Sequence, residues 1–255
     1  MNDTLAAFAR LLKIMDELRE QCPWDRSQTI ESLRYLTLEE TYELSGAILE
    51  NNLDDIRNEL GDLLLHIVFY SRIGKEKGAF DIKEVIEGIN QKLIKRHPHI
   101  YGDVVVSNAE QVKSNWEKIK LHEGNRTVLG GVPASLPALV KAYRIQDKAR
   151  GVGFDWEESN QVWQKVLEEL NELNEAVSLG DSKKKQEELG DLLFALVNFA
   201  RFIDVNPEDA LEGSNRKFIR RFNYLEDKAR ATGKMLKDMS LTEMEQFWNE
   251  AKNGE

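Results

Sequence analysis

The stretch "NELGDLLLHIVFYSR" (residues 58–72) recurs almost unchanged as "EELGDLLFALVNFAR" (residues 187–201), 129 positions further along the chain. An earlier stretch, "LEETYEL" (38–44), recurs as "LEELNEL" (167–173) at the same offset. Self-similarity at a fixed offset is typical of repeated structural units. Because the offset is about half of the 255 residues, the sequence predicts two related halves.

The boundary between the halves is predicted in the segment "EGNRTVLGGVPASLPAL", where glycines and prolines interrupt the pattern of the flanking sequence. We therefore predict an N-terminal helical domain at 1–122, a linker at 123–139 and a C-terminal helical domain at 140–255.

Both halves show apolar residues at helical spacing with little enrichment in β-branched residues, which favours helices over strands. In the first half, helices are predicted at 5–18, 32–49, 53–74 and 81–97, followed by a short helix at 108–123. The second half repeats this order. The predicted fold is therefore all-α, with tandem duplicated helical bundle units of about five helices each.

Composition limits the classes of function. Hydrophobic residues make up 41% and charged residues 31% of the chain, as expected for a globular protein, and no apolar run reaches the roughly 18 residues of a membrane span. The lone cysteine, Cys22, fits a reducing cytoplasm. The net charge of −10 argues against stable nucleic-acid binding. We expect a cytoplasmic protein with no membrane partner.

The repeated carboxylates predict a metal site. Residues three or four apart on a helix share a face, so Glu39, Glu40 and Glu43 project together, as do Glu59 and Asp62 on the next helix. If the two helices pair antiparallel, these acids converge, and the crowding is unfavourable unless a cation lies between them. Hard divalent cations such as Mg²⁺ favour such oxygen ligands. The second half offers the equivalent set: Glu168, Glu169, Glu172, Glu188 and Asp191.

A single EExxE run usually marks a solvated helix face. Here the acids occur twice with the same spacing, and the helix after Glu59 and Asp62 continues as the apolar run "LLLHIVFYS", which favours the metal site. Gly61 and Gly190 lie between the acids of each half, which suggests close approach by another backbone or a ligand. His66 is interpreted as a core residue, since its counterpart is Ala195.

A further repeat carries basic residues. The stretch "EGINQKLIKRH" (87–97) matches "EGSNRKFIRRF" (212–222). Asn90, Lys92 and Arg96 of the first stretch correspond to Asn215, Lys217 and Arg221 of the second. Lysine and arginine bind phosphate oxygens, although such a pair alone is usually a solvated cationic face. Trp248 follows in the second half, where it could stack on a nucleobase or pack in the core.

Together these features resemble MazG-type nucleoside triphosphate pyrophosphohydrolases, which belong to the all-α NTP pyrophosphatase superfamily. The resemblance covers nearly the whole chain and includes the phrases "CPWDRSQT" and "KLIKRHPHIYGD". It implies homodimers that hydrolyse nucleoside triphosphates between the α and β phosphates, giving a monophosphate and pyrophosphate. It also implies Mg²⁺ as cofactor, for which Mn²⁺ could substitute.

Carried over to this sequence, the resemblance implies three groups of site residues. The metal ligands are Glu169, Glu172, Glu188 and Asp191, with Glu40, Glu43, Glu59 and Asp62 as their first-half equivalents. The phosphate-binding residues are Lys217 and Arg221, with Lys92 and Arg96, and the neighbouring substrate-binding candidates are Asn215, Asn90 and Trp248. Glu168 or Glu39 would act as a base or support a metal ligand. Both motif sets are intact, and Arg216 and Arg220 favour the C-terminal half as the main catalyst.

Three alternative classes of protein lead to different expectations. A P-loop NTPase is disfavoured because the chain contains no GxxxxGK[ST] loop. A di-iron carboxylate bundle requires Glu-x-x-His pairs, whereas Asp62 and Asp191 follow Glu59 and Glu188 here. The remaining alternative is a non-catalytic helical module that binds nucleotides or a partner. Such a module would release no pyrophosphate.

Overall fold

The computed structural model describes residues 2–108, 111–112, 115–116, 119 and 127–254. The chain divides into two compact units, Met1–Ala109 and Glu110–Glu255. Across the described residues the regular elements are helices and no strand occurs, so the all-α prediction is confirmed. Most of the predicted helix at 108–123, and residues 123–126 of the predicted linker, lie outside the described residues.

The first unit is built on a helical hairpin packed against the N-terminal helix. Its helices are α1 (Asn2–Gln21), α2 (Pro23–Ser27), α3 (Ile30–Leu49), α4 (Leu53–Glu76), α5 (Ile82–Arg96) and α6 (Pro98–Tyr101). The Thr29 side chain begins α3 by accepting a hydrogen bond from the Ser32 backbone N–H, as in a capping box. The core comprises Met15, Leu33, Val68, Phe69 and Ile73, all buried.

The second unit repeats the hairpin. Its helices are α7 (Ala138–Arg150), α8 (Ser159–Leu179), α9 (Ser182–Phe202), α10 (Pro207–Ala231) and α11 (Leu241–Asn253), with 3₁₀ turns at Val128–Gly131 and Leu236–Asp238. The helices α8 and α9 share the largest contact in this unit. Val162, Val166 and Ala176 of α8 are buried, as are Ala195 and Val197 of α9.

The two hairpins use the same turn at matching positions. Asn51 and Gly180 both take the left-handed conformation, with φ of 54° and 74°. The next residue caps the following helix in each case, since the Asn52 and Asp181 side chains accept hydrogen bonds from two backbone N–H groups. Glycine and asparagine adopt positive φ at the least cost, so the chain can reverse within three residues. The turn therefore brings the acidic segments of both hairpin helices side by side.

Two expectations about α4 and α9 have different outcomes. His66 is buried with its ring edge against Tyr70, so its interpretation as a core residue is confirmed. The expected close approach at Gly61 and Gly190 is not found, because a Cβ at either position would meet nothing within 4 Å in the part of the chain that the structure describes. Both glycines instead face open space.

An apolar stripe is exposed at matching positions of the two hairpins. On α4 it consists of Leu60, Leu64 and Ile67, and on α9 of Leu189, Leu193 and Leu196. We call these the α4 stripe and the α9 stripe. Each runs along one helix face, because its members are spaced by three or four residues. Among the described helices, none is long and apolar enough to cross a bilayer.

Candidate metal centre and adjoining cavity

The first acidic cluster forms across the α3–α4 hairpin. Glu40 and Glu43 lie one turn apart on α3 and face Glu59 on α4, with one carboxylate oxygen of each within 4.8 Å of the others. Partial burial and the negative charges of Asp62, Glu43 and Glu59 raise the pKa of Glu40. Partial burial and the same kind of repulsion, from Glu43 first, raise the pKa of Glu59. Negative charge is therefore concentrated at this point.

The second acidic cluster forms in the same way across the α8–α9 hairpin. Glu169, Glu172 and Glu188 each offer an oxygen within 4.8 Å of the others. Partial burial, followed by the charges of Glu172, Glu187 and Asp191, raises the pKa of Glu188. The structure thus brings together three of the four predicted ligands in each half. The fourth, Asp62 or Asp191, lies one turn further along its helix, exposed but close enough to influence these pKa values.

The clusters differ in one cation that sequence reasoning missed. The Lys165 ammonium lies 2.7 Å from a carboxylate oxygen of buried Glu169 and 2.7 Å from Glu168. These two hydrogen bonds raise the pKa of Lys165. The matching residue of the first half is Leu36. This difference between the repeated segments was the signal in the sequence that could have pointed to Lys165. Part of the negative charge in the second cluster is therefore already balanced within the chain.

The donor sets fit a hard divalent cation. Each triad consists of glutamates alone, and carboxylate oxygens suit Mg²⁺ and Mn²⁺ better than zinc, which favours cysteine and histidine. Partial burial first, and then the charges of the neighbouring carboxylates, raise the pKa values of Glu40, Glu59 and Glu188. A cation bound between them would relieve this repulsion.

The predicted substrate-binding residues occupy other helices. On α10, the Arg221 guanidinium lies over the Trp248 ring of α11, 5.7 Å from its centroid, and the Phe218 ring packs 5.0 Å from the same tryptophan. Lys217 and Asn215 are exposed on α10. In the first half, Asn90 and Lys92 are exposed on α5, and Arg96 at its end is half-buried. The candidate bases Glu39 and Glu168 are exposed beside the clusters.

A cavity of about 560 Å³ adjoins the second cluster. Glu169, Asp191 and Lys165 line its acidic edge, and the apolar part of its wall includes Ile145, Ala149, Phe154, Trp156 and Phe194. No sequence pattern predicted this cavity. It arises from side chains on α7, α8, α9 and the loop between α7 and α8.

An ion pair between the buried Arg201 and Asp155 fixes one wall of the cavity. Arg201, only 8% exposed, donates hydrogen bonds from two guanidinium nitrogens to the Asp155 carboxylate, one of them 2.9 Å long. The same arginine also donates to Asn198 Oδ1. Since bidentate arginine–carboxylate pairs are geometrically specific, the loop that carries Phe154 and Trp156 is held against α9.

The fold and the two carboxylate clusters define an all-α protein with a duplicated candidate site for divalent cations. The model of the MazG nucleotide pyrophosphohydrolase domain matches residues 28–101 and 157–225, which include every member of both clusters. The chain therefore belongs to the MazG nucleotide pyrophosphohydrolase family, and the resemblance seen in the sequence is confirmed.

Named relatives match the chain over its length. It is 43% identical to the nucleoside triphosphate pyrophosphohydrolase/pyrophosphatase MazG of Thermotoga maritima, over 100% of this chain and 99% of the relative. It is 42% identical to the nucleoside triphosphate pyrophosphohydrolase of Escherichia coli K12, over 96% and 97% of the two chains. A Bacillus subtilis protein of uncharacterized function, YabN, is 46% identical over 97% of this chain and 52% of its own length.

Proposed function

We propose that this protein hydrolyses nucleoside triphosphates at the α–β phosphate bond, releasing a nucleoside monophosphate and pyrophosphate. Membership of the MazG family and the activity named for its full-length relatives support the reaction class. The observation that carries the proposal is the convergence of three glutamates within 4.8 Å in each hairpin. Such a cluster is suited to Mg²⁺, with Mn²⁺ as a substitute, and to the polyphosphate that would share the ion.

The proposed mechanism follows from the position of each group. A divalent cation, when bound, neutralises phosphate charge and makes a bound water more acidic. Glu169, Glu172, Glu188 and Asp191 would hold it in the second half, and Glu40, Glu43, Glu59 and Asp62 in the first. Glu168, or Glu39 in the first half, would accept the proton of the attacking water. Lys217 and Arg221 would bind the phosphates, as Lys92 and Arg96 would in the first half.

We further propose that the C-terminal half is the main catalyst. The cavity beside the second cluster provides room for the remainder of a nucleotide. At the matching positions of the first half, buried Phe69 and His66 replace Asn198 and Ala195. The larger buried side chains leave less space beside the first cluster.

We also propose a homodimer, with a second copy of this chain covering the α4 and α9 stripes. The six side chains are between 40% and 52% exposed, and they occur at the same positions of both hairpins. Covering a row of exposed apolar side chains removes apolar surface from water, which is favourable. Gly61 and Gly190 leave open space beside the stripes, so another backbone has room to approach.

Two features support an intracellular setting without nucleic-acid partners. The net charge of −10 disfavours binding to a polyanion, and Cys22 is a free thiol. We therefore propose a cytoplasmic protein whose polyanionic ligands are small and are bound together with cations.

The reaction is tested by measuring pyrophosphate release from a panel of ribo- and deoxyribonucleoside triphosphates, with Mg²⁺, with Mn²⁺ and with chelator. Wild type is compared with Glu43→Gln, Glu172→Gln and the double variant, which preserve side-chain volume. We expect metal-dependent release that Glu172→Gln lowers by at least about 100-fold, the order of a lost catalytic electrostatic contact. The double variant should be inactive, whereas Glu43→Gln should retain most activity.

The bond that is cleaved is tested in ¹⁸O-labelled water. Attack at the α phosphorus places the label in the monophosphate, whereas attack at the β phosphorus places it in pyrophosphate. Nucleotide binding without release of pyrophosphate by the wild type would instead support the non-catalytic module.

A further inference from the structure

The cavity beside the second cluster has features that binding a metal ion does not explain. Its volume of about 560 Å³ falls within the roughly 300–1,000 Å³ of small-molecule sites. Glu169 and Asp191 line one edge, so a ligand whose phosphates share a cation with them would extend its other end into the cavity. Phe154 is 82% exposed and Trp156 is 46% exposed, so both aromatic rings are available for stacking.

A buried polar group faces the same space. Gln146 lines the cavity, is 7% exposed, and donates a 2.8 Å hydrogen bond from Nε2 to the Phe194 carbonyl oxygen. Its Oε1 has no hydrogen-bond partner in the part of the chain that the structure describes. A buried acceptor without a partner is unfavourable, so a donor on a ligand would be bound favourably. Because Nε2 is already engaged, the amide offers its acceptor to that ligand.

We propose that this cavity receives the nucleobase of the substrate, and that Gln146 Oε1 accepts a hydrogen bond from a ring N–H or an exocyclic amino group of the base. The inference rests on the proposed function, since it assigns one part of the nucleoside triphosphate to a place beside the carboxylates. Adenine, guanine, cytosine and uracil each carry such a donor. The contact therefore favours any ligand that carries a base, but it does not select one base over another.

The first half provides an internal comparison. At an offset of 131, two more than in the hairpins, "KIMDELR" (13–19) corresponds to "RIQDKAR" (144–150), which aligns Met15 with Gln146. Met15 is 1% exposed and belongs to the apolar core. Phe69 and His66, also buried, correspond to Asn198 and Ala195. Met15 lines a cavity of about 100 Å³, but no carboxylate of the first cluster lines that cavity. The base pocket of the second half thus coincides with the positions where the two halves differ.

The test measures binding of nucleoside monophosphates and of ribose 5-phosphate, which lacks the base, by calorimetry with Mg²⁺ present. The ratio of the two dissociation constants reports what the base contributes. For the wild type we expect at least one monophosphate to bind at least tenfold more tightly than ribose 5-phosphate. Gln146→Met should reduce this ratio by about tenfold, the effect of one lost hydrogen bond. The affinity for ribose 5-phosphate should not change.

Control variants separate the role of Gln146 from a general loss of structure. Gln164→Met makes the same change at an exposed site of α8 and should behave as wild type. Phe154→Ala changes an exposed side chain, so it tests the pocket even if Gln146→Met does not fold. We expect it to reduce the ratio by about tenfold through lost stacking.

A wild-type ratio near one, or a ratio that neither Gln146→Met nor Phe154→Ala lowers, would overturn the inference. Pyrophosphate release by the same wild-type preparation is measured separately. If pyrophosphate is released but the variants leave the ratio of dissociation constants unchanged, the base pocket alone is refuted. If no pyrophosphate is released but the ratio falls in the variants, the hydrolase is refuted and the pocket is retained.

Discussion

At the scale of single residues, the charge on the hairpin carboxylates links the candidate chemistry to stability. Glu40 has a raised pKa because partial burial and four neighbouring acids disfavour its ionised form. In the absence of a cation, the folded state therefore binds a proton at Glu40 more readily than the unfolded state does. It follows that stability falls as the pH rises from the ordinary pKa of a glutamate, about 4.3, through the raised value.

The substitution Glu40→Gln is therefore expected to stabilise the metal-free protein. At neutral pH, with chelator, the midpoint of thermal unfolding should rise by about 2 °C, because the glutamine carries no charge. The difference should shrink as the pH falls below the raised pKa, where the wild-type side chain is also neutral. Saturating Mg²⁺ should reverse the order, since the variant loses a metal ligand. Equal unfolding midpoints at all pH values would contradict this account of the cluster.

At the scale of secondary-structure elements, the hairpin turn explains how the carboxylates meet. Asn51 and Gly180 occupy the same position with positive φ, followed by the capping residues Asn52 and Asp181. The turn sets the register of the two helices, and the register determines which acids face each other. A change of backbone preference in the turn should therefore affect the cluster without altering any carboxylate.

The same substitution at two glycines is expected to have opposite effects. Gly180→Ala should lower stability by about 1 kcal/mol, because alanine at φ 74° is strained. Gly213→Ala should raise stability by about 0.5–1 kcal/mol, because Gly213 lies within α10 and nothing within 4 Å obstructs a Cβ among the described residues. Gly180→Asn serves as the control and should resemble wild type, since Asn51 takes this conformation in the first half. Thermal unfolding with chelator measures all three. A shift of the same sign for both alanine variants would exclude the turn as the cause.

The helices and carboxylate clusters could be predicted because they belong to what the two halves share. The spacing of Glu40, Glu43 and Glu59 is repeated at Glu169, Glu172 and Glu188, and helical periodicity places each set on one face. The cavity could not be predicted, because it depends on residues that are not repeated, such as Gln146 and Asn198. An unpaired oxygen and an empty volume are properties of packing in three dimensions, which a periodic pattern does not contain. Within the described residues nothing approaches Gly61 or Gly190, so the close approach of a ligand or of another backbone stays a prediction.

At the scale of the whole molecule, the exposed stripes on α4 and α9 lead to a prediction about assembly. Leu193 lies at the centre of the α9 stripe and is 49% exposed. If a second copy covers the stripe, a charge at this position must be buried on association, which is unfavourable.

The substitution Leu193→Glu is therefore expected to weaken the dimer by at least about tenfold, a loss of about 1.4 kcal/mol. Sedimentation equilibrium measures the dissociation constant of wild type and variant. Leu241→Glu places the same charge at an exposed site of α11 and should leave the dimer intact. A wild type that sediments as a monomer at all concentrations would refute the proposed assembly. An unchanged dissociation constant for Leu193→Glu would place the contact elsewhere.

The repeated hairpin turn has one more consequence. Both hairpins have the same reversal, the same type of cap and the same three glutamates, but among the described residues Lys165 and a cavity adjoin the second cluster, where the first hairpin has Leu36 in place of the lysine. The chain therefore carries an internal standard for the half that we propose as the main catalyst. A response to a cation that occurs in both halves reports on the glutamates. A response confined to the second half reports on Lys165 and the cavity beside the glutamates.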